Sequence, residues 1–174
     1  KMPQLATRLR TAVKDWQEDV LPEPGKDNRP FIIGHPDSVL TQVPARDGVA
    51  HGGIQRSNRF PNCSYFRNWK SVEDAVTWKA EVGVSGRYEV ELWYACEKDD
   101  VGSEIELRFN KSIVRTKITR PNPAPSRGAE HDRSPRSESY VKDFKPIKMG
   151  VLDLKKGRGE LTLRATSIPG TEAM

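Results

Sequence analysis

The sequence predicts an all-β domain, an antiparallel β-sandwich or jelly roll, that carries one amphipathic helix at its N-terminus. From Phe31 onward, short segments alternate apolar and polar residues and are separated by turn-forming residues. No helical pattern lies between these segments, which favours sheets packed on each other over an α/β arrangement. With 174 residues, the chain is long enough for one domain with a substantial core.

Residues 3–20 show a helical periodicity of apolar residues. Pro3 suits the first turn of a helix. Residues 21–30 follow with three prolines and a glycine and are predicted to be an extended linker. The apolar face of the helix is expected to pack on the outside of the sandwich, and it consists of Leu5, Leu9, Ala12 or Val13, Trp16 and Val20.

Period-two alternation defines the expected strands and their inward faces. Residues 155–160, "KKGRGE", are predicted to be a hairpin-type turn, and residues 119–140, with four prolines, a long mobile loop. Trp93 is out of phase with its apolar neighbours and is assigned to the opposite face of its strand. The strands are expected at 31–34, 38–44, 75–82, 87–95, 104–110, 112–118, 147–154 and 160–168, and the core residues are expected to include Trp78, Tyr88, Val90, Leu92, Leu107 and Leu163.

The net charge of +5 and the pI of about 9.3 indicate an affinity for polyanions. The basic residues are scattered among nearly as many acidic ones and form no nucleic-acid-binding motif, so sulfated or carboxylated polysaccharide is the favoured class and nucleic acid is not expected. No apolar run is long enough for a membrane span, and the dispersed histidines predict no metal site. The two cysteines, Cys63 and Cys96, leave two alternatives open: one disulfide or two free thiols.

Residues 62–69, "NCSYFRNW", outline the sulfatase motif Cys-x-Pro-x-Arg, whose cysteine is oxidised to formylglycine. Tyr65 occupies the position of the proline, and the aromatic residues of the segment are typical of a packed strand. We therefore expect Cys63 at the start of a strand and no catalytic residue in this chain. The adjacent carboxylates, such as Glu73 and Asp74, are expected in solvated turns, because neighbours in a strand point to opposite faces.

The glycine-containing loop 51–62 concentrates donors that could bind an anion. Trp69 is the aromatic residue nearest in sequence on which a sugar ring could stack. Two alternatives remain: the loop ties its own backbone or docks on a neighbouring domain, and Trp69 and Trp93 pack against the helix or linker. The candidate ligand-binding residues are His51, Arg56, Asn58, Arg59 and Trp69.

Three stretches of the chain resemble the region that follows the catalytic domain in bacterial arylsulfatases: "PARDGVAHGGIQRSNRFPNCSYFRNW", "WKAEVGVSGRYEVELWYACEKDDVGSEIELRF" and "GVLDLKKGRGELTLRATSIPG". In addition, "GRYEVELWYA" and "LDLKKGRGELTLRA" are similar to elements of galactose-binding-like jelly rolls, which recur in carbohydrate-binding modules.

The resemblance implies a non-catalytic C-terminal accessory domain at 31–174, with 1–30 as a helix and linker from a preceding catalytic domain. It implies a secreted or periplasmic sulfatase whose formylglycine and calcium belong to that catalytic domain, so no cofactor is expected in this chain. The expected partners are the catalytic domain of the same polypeptide and a sulfated polysaccharide. The alternative is a stand-alone carbohydrate-binding module.

Overall fold

The computed structural model describes residues 2–20 and 29–174; most of the predicted linker, residues 21–28, lies outside the described residues. The chain is mostly β, with one long helix and several sheets. The elements are α1 (Pro3–Val20), β1 (Phe31–Ile33), β2 (Val49–His51), β3 (Gln55–Arg56), β4 (Phe66–Arg67), β5 (Ala75–Val82), β6 (Gly86–Tyr94), β7 (Glu104–Phe109), β8 (Ser112–Lys117), β9 (Lys145–Leu154) and β10 (Gly157–Ser167).

The main sheet has the strand order β1-β5-β10-β7-β8, and β2 pairs with β5 along the same edge as β1. A second sheet consists of β6 and β9, and a third, very short one consists of β3 and β4. All pairs are antiparallel except β1–β5, which is parallel and departs from the predicted all-antiparallel arrangement.

Two of the four crossings between the main and second sheets, from β5 to β6 and from β9 to β10, lie at the same end of both sheets. Val82 ends β5 opposite Gly157, while Gly86 begins β6 opposite Leu154. The Lys156 backbone N–H donates to Ser85 Oγ at 2.8 Å, which ties the two crossings together. The predicted hairpin at 155–160 is therefore wrong: β9 and β10 follow each other along the chain but pair with strands of different sheets.

One hydrophobic core lies between the main and second sheets, an arrangement consistent with a β-sandwich. Its inward residues include Ile105 and Phe109 of the main sheet and Leu152 and Leu154 of the second. Of the predicted core residues, Trp78, Leu107 and Leu163 are buried, while Tyr88, Val90 and Leu92 are partly buried against the core. The alternation along β6 is as predicted, with Trp93 on the opposite, exposed face.

Two predicted elements differ from the structure. Residues 38–44 are not a strand: Val39 and Leu40 are exposed, and no partner strand lies beside them among the described residues. Residues 119–140 are irregular, as expected, but the loop is anchored. Asn122 pairs with Cys96 through two backbone hydrogen bonds, and the amide of Arg127 donates to the carbonyl of Val141.

Helix α1 has the predicted extent, but it does not have the predicted packing. Every residue from Met2 to Val20 is exposed, including Leu9, Val13 and Trp16. The apolar face that the sequence shows therefore has no covering surface among the described residues. No helix in the described part of the chain is long and apolar enough to cross a membrane.

Candidate functional site

The donor-rich loop 51–62 is held by bonds to its own domain. Gly52, with φ of +73°, turns the chain between β2 and β3, and Asp74 Oδ1 accepts the Gly53 N–H at 2.8 Å. A Cβ at Gly52 would lie 1.9 Å from that oxygen, so only glycine fits this turn. Asn68 Nδ2 donates to the Gly53 carbonyl at 2.7 Å. Asp74 is buried and organises the turn, which corrects its prediction as a solvated residue.

The polar candidates in this loop are mostly engaged with other groups of the same domain. Arg56 Nη2 donates to the Gly48 carbonyl at 3.1 Å. Asn58 donates to the Ser137 carbonyl and accepts the Phe60 N–H at 2.9 Å. Arg59 lies over the Phe60 ring, 4.6 Å from its centroid, and remains exposed. The geometry thus favours the alternative in which the loop ties its own backbone.

Trp69 is in the core and cannot offer a ring face for stacking. It is only 3% exposed, and its carbonyl accepts the Ala173 N–H at 2.8 Å. Trp93, by contrast, is 60% exposed on the outer face of β6. Neither tryptophan packs against α1, whose residues are all exposed, and most of the linker named in the alternative, residues 21–28, lies outside the described residues. Of the two, Trp93 is therefore the one available to a ligand.

Cys63 lies in an exposed turn with φ of +53°, not at the start of a strand as predicted. Tyr65 packs edge-on against Phe144, with ring centroids 5.7 Å apart, and carries Lys142 Nζ 4.9 Å above its ring. The two cysteines are free thiols. Burial raises the pKa of the Cys96 thiol to about 11, and the nearby carboxylates of Asp100 and Glu97 add to the effect.

The strongest concentration of charge lies on the outer face of the main sheet, around Glu106 of β7. Arg115 contacts Glu106 Oε2 twice, from Nε at 2.8 Å and from Nη2 at 2.6 Å. Arg164 Nε donates to Oε1 at 2.9 Å, and Arg108 Nη2 donates to the same oxygen at 3.1 Å. We call these four residues the arginine cluster.

Strand register creates the arginine cluster. Glu106 pairs directly with Arg164 on β10 and with Arg115 on β8, while Arg108 is two residues along β7 on the same face. His51 on β2 pairs with Ala75, which in turn pairs with Arg164. His51 is thus the one predicted site residue in the same row, about 10 Å from Arg164 at the usual strand spacing, and its Nε2 is 2.9 Å from Thr77 Oγ1.

The carboxylate of Glu106 is fully buried, whereas the guanidiniums around it are not. The side chains of Arg108, Arg115 and Arg164 are 43%, 59% and 42% exposed. Burial by itself would raise the pKa of Glu106, but hydrogen bonds from the three arginines outweigh it and hold the pKa below its ordinary value. The cluster therefore holds three positive charges against one negative charge, and its excess faces solvent.

Sequence reasoning missed this cluster because its members lie on three different strands and Arg164 is far from the others in the chain. Each lies on the polar phase of an alternating strand, which is the usual place for solvated charge. The available signal was that arginine recurs on that phase in three segments, at Arg108, Arg115 and Arg164. Only the pairing of β7 with β8 and β10 reveals that they converge.

No protein-family model and no curated protein sequence matches the chain. Within residues 2–20 and 29–174, no group of three or more His, Cys, Asp or Glu side chains is arranged to hold a metal ion.

Proposed function

We propose that residues 31–174 are a non-catalytic accessory domain, of galactose-binding-like jelly-roll type, that belongs to a secreted sulfatase and holds its anionic glycan substrate. The sequence resemblance to the region after arylsulfatase catalytic domains supports the parent enzyme. The basic, hydrogen-bonding outer face of the main sheet supports a polyanionic ligand. The calcium and formylglycine of such an enzyme belong to its catalytic domain.

The observation that carries the non-catalytic assignment is the packing of residues 62–69. Cys63 occupies a tight left-handed turn, Tyr65 packs against Phe144, and Trp69 lies in the core. These contacts make the segment a structural part of the domain. The modification of a sulfatase cysteine needs an extended segment that the modifying enzyme can reach. Cys63 is exposed, but it lies in a turn next to the packed Tyr65 and not in an extended segment.

The catalytic half of the proposal is tested with the purified chain, calcium and an aryl sulfate. We expect no turnover, and mass spectrometry is expected to find Cys63 as an unmodified thiol. The matched variant is Cys63→Ala, which removes the candidate nucleophile from an exposed turn. Turnover by the unsubstituted chain that disappears in this variant would overturn the non-catalytic assignment.

The binding half is tested by titrating the chain with dextran sulfate and with unmodified dextran. We expect weak binding to dextran sulfate that declines at high salt, because exposed charges are screened over about 8 Å at physiological ionic strength. Equal binding to the two polymers would contradict an anionic ligand, and binding to neither would remove the substrate-holding role.

The exposed Trp93 favours a second candidate function, a stand-alone carbohydrate-binding module. Its ring lies on the outer face of the second sheet, where an apolar sugar face could stack. Here Trp93→Ala is expected to abolish binding to a neutral polysaccharide and to leave the dextran sulfate titration unchanged. Val151→Ala, on the same sheet, serves as the control for lost apolar surface.

A further inference from the structure

We propose that the arginine cluster of Arg108, Arg115, Arg164 and Glu106 is the site that binds the oxyanion groups of an acidic glycan, with sulfate esters or carboxylates as the shared chemistry. This inference rests on the glycan-binding half of the proposed function. It moves the binding site from the loop 51–62 to the outer face of the main sheet.

The arginine cluster has N–H donors that are not bonded to Glu106. A guanidinium carries five N–H donors, whereas Arg164 uses only Nε, and Arg108 only Nη2, towards Glu106. These two side chains are more than 40% exposed, so a ligand in solution can reach them. A second oxyanion above the buried carboxylate would use those donors and neutralise part of the excess charge.

Glu106 acts as the positioning residue of this site. Its two oxygens hold three guanidiniums that would otherwise repel one another, and the short contacts of 2.6–3.1 Å fix their direction. A fixed guanidinium fork matches two oxygens of a sulfate or carboxylate and loses little entropy on binding. The site is therefore organised before the ligand arrives.

The same face extends the site along β8. Lys117 follows Arg115 on the same face, and a shallow depression is lined by Glu104, Arg115, Thr116 and Lys117. Residues two apart on a strand are about 7 Å apart, so Arg115 and Lys117 could each meet an anionic group of a repeating chain. A glycan that carries a negative charge on successive sugars fits this spacing.

The test compares Arg115→Gln with Arg158→Gln. Arg158 lies on the same outer face and also forms an ion pair, with Glu81 at 2.8 Å, but it is outside the cluster. Both variants remove one positive charge and are first checked for an unchanged melting transition. If Arg115→Gln does not fold, it is replaced by the double variant Glu106→Gln with Arg115→Gln. This variant removes one negative and one positive charge together.

With dextran sulfate at low salt, Arg115→Gln is expected to bind about tenfold more weakly, as for the loss of a charge-assisted hydrogen bond. Arg158→Gln is expected to change binding less than about twofold, the usual scale for an exposed charge. Arg115→Lys keeps the charge but loses the paired contacts to Glu106 that fix the guanidinium, and is expected to fall between them.

Four further outcomes are decisive. Equal losses in Arg115→Gln and Arg158→Gln would mean diffuse attraction and would overturn the site while leaving glycan binding intact. No binding of dextran sulfate by the unsubstituted chain would overturn the substrate-holding function itself. Titrations with polygalacturonate and polyglutamate separate the possible sources of the anionic groups. Polygalacturonate binding that is lost in Arg115→Gln supports a carboxylated glycan. Binding to polyglutamate as tight as to dextran sulfate would overturn the glycan in favour of an acidic protein surface.

Discussion

Glu106 is a fully buried carboxylate on the polar face of a sheet, and its burial is caused by its partners. Three arginines on β7, β8 and β10 lie over it and occupy both of its oxygens. A buried charge is tolerated when it is paired and hydrogen-bonded, and losing it leaves its partners unpaired. The stability of the domain should therefore depend on this side chain.

We expect Glu106→Gln to lower the free energy of unfolding by about 1–3 kcal/mol, the scale of lost hydrogen bonds to charged groups. Glutamine keeps the volume and one acceptor but cannot balance three guanidiniums. The measurement is urea unfolding at pH 7. Glu81→Gln is the control, because Glu81 is partly exposed and its partner, Arg158, is 77% exposed, and a loss below about 1 kcal/mol is expected there.

The loss caused by Glu106→Gln should depend on pH. Because the folded pKa of Glu106 lies below its ordinary value of 4.5, the ionised carboxylate stabilises the fold fully above that value. The contribution disappears as the pH falls through the folded pKa, so the two proteins should converge in acid. A difference in unfolding free energy that is constant from pH 7 to pH 3 would contradict this account.

At the scale of elements, alternation predicted β5, β6, β7 and β8 closely because in each strand one face is more buried than the other. The same pattern failed at residues 38–44, where it correctly suggests an extended chain but cannot supply a neighbour to pair with. Pairing is non-local, and that is also why the turn-forming residues at 155–160 predict a hairpin that the structure does not contain. Helix α1 was predictable because its periodicity is local.

Strand β9 contains an irregularity that no sequence pattern revealed. Its register against β6 shifts between Val90 and Glu91, opposite Gly150 and Lys148, so Met149 is the extra residue of a bulge. Gly150 has φ of +125°, and a Cβ there would lie 3.1 Å from Val114 of β8. The bulge thus brings the backbone of β9 close to the edge strand of the main sheet.

We expect Gly150→Ala to destabilise the fold by about 1–3 kcal/mol, the cost of one strained backbone conformation. Gly86→Ala is the matched control, since Gly86 also lies in the second sheet and has an ordinary φ, and a Cβ there would meet only a Tyr88 ring atom, at 3.9 Å. This control should be neutral or slightly stabilising. Equal melting temperatures of the two variants would mean that the bulge is not constrained.

For the whole molecule, the site depends on register between distant strands rather than on any motif. Arg108, Arg115 and Arg164 are separated by up to 56 residues in sequence (164 − 108) and converge only because β7 lies between β8 and β10. His51 joins the same row through β5 for the same reason. Local patterns could predict that these residues face outward, but not that they face one another.

Helix α1 contributes little to the stability of the β domain, because none of its residues is buried. A chain that begins at Arg29 keeps β1 and every strand of the three sheets. We expect it to melt within about 2 °C of the full chain, since none of the described residues that it lacks is buried, and changes at exposed positions alter stability by a few tenths of a kcal/mol. The measurement is thermal unfolding, monitored by the far-ultraviolet circular dichroism signal of the β-strands.

The control for this truncation is Val13→Asp in the full chain, which interrupts the exposed apolar face of α1 without shortening the protein. It should leave the melting temperature unchanged, for the same reason as the truncation. If both changes lower the melting temperature by the same amount, the apolar face of α1 packs on the sheets in solution. If only the truncation lowers it, the stabilising contacts come from residues before Arg29 other than that face.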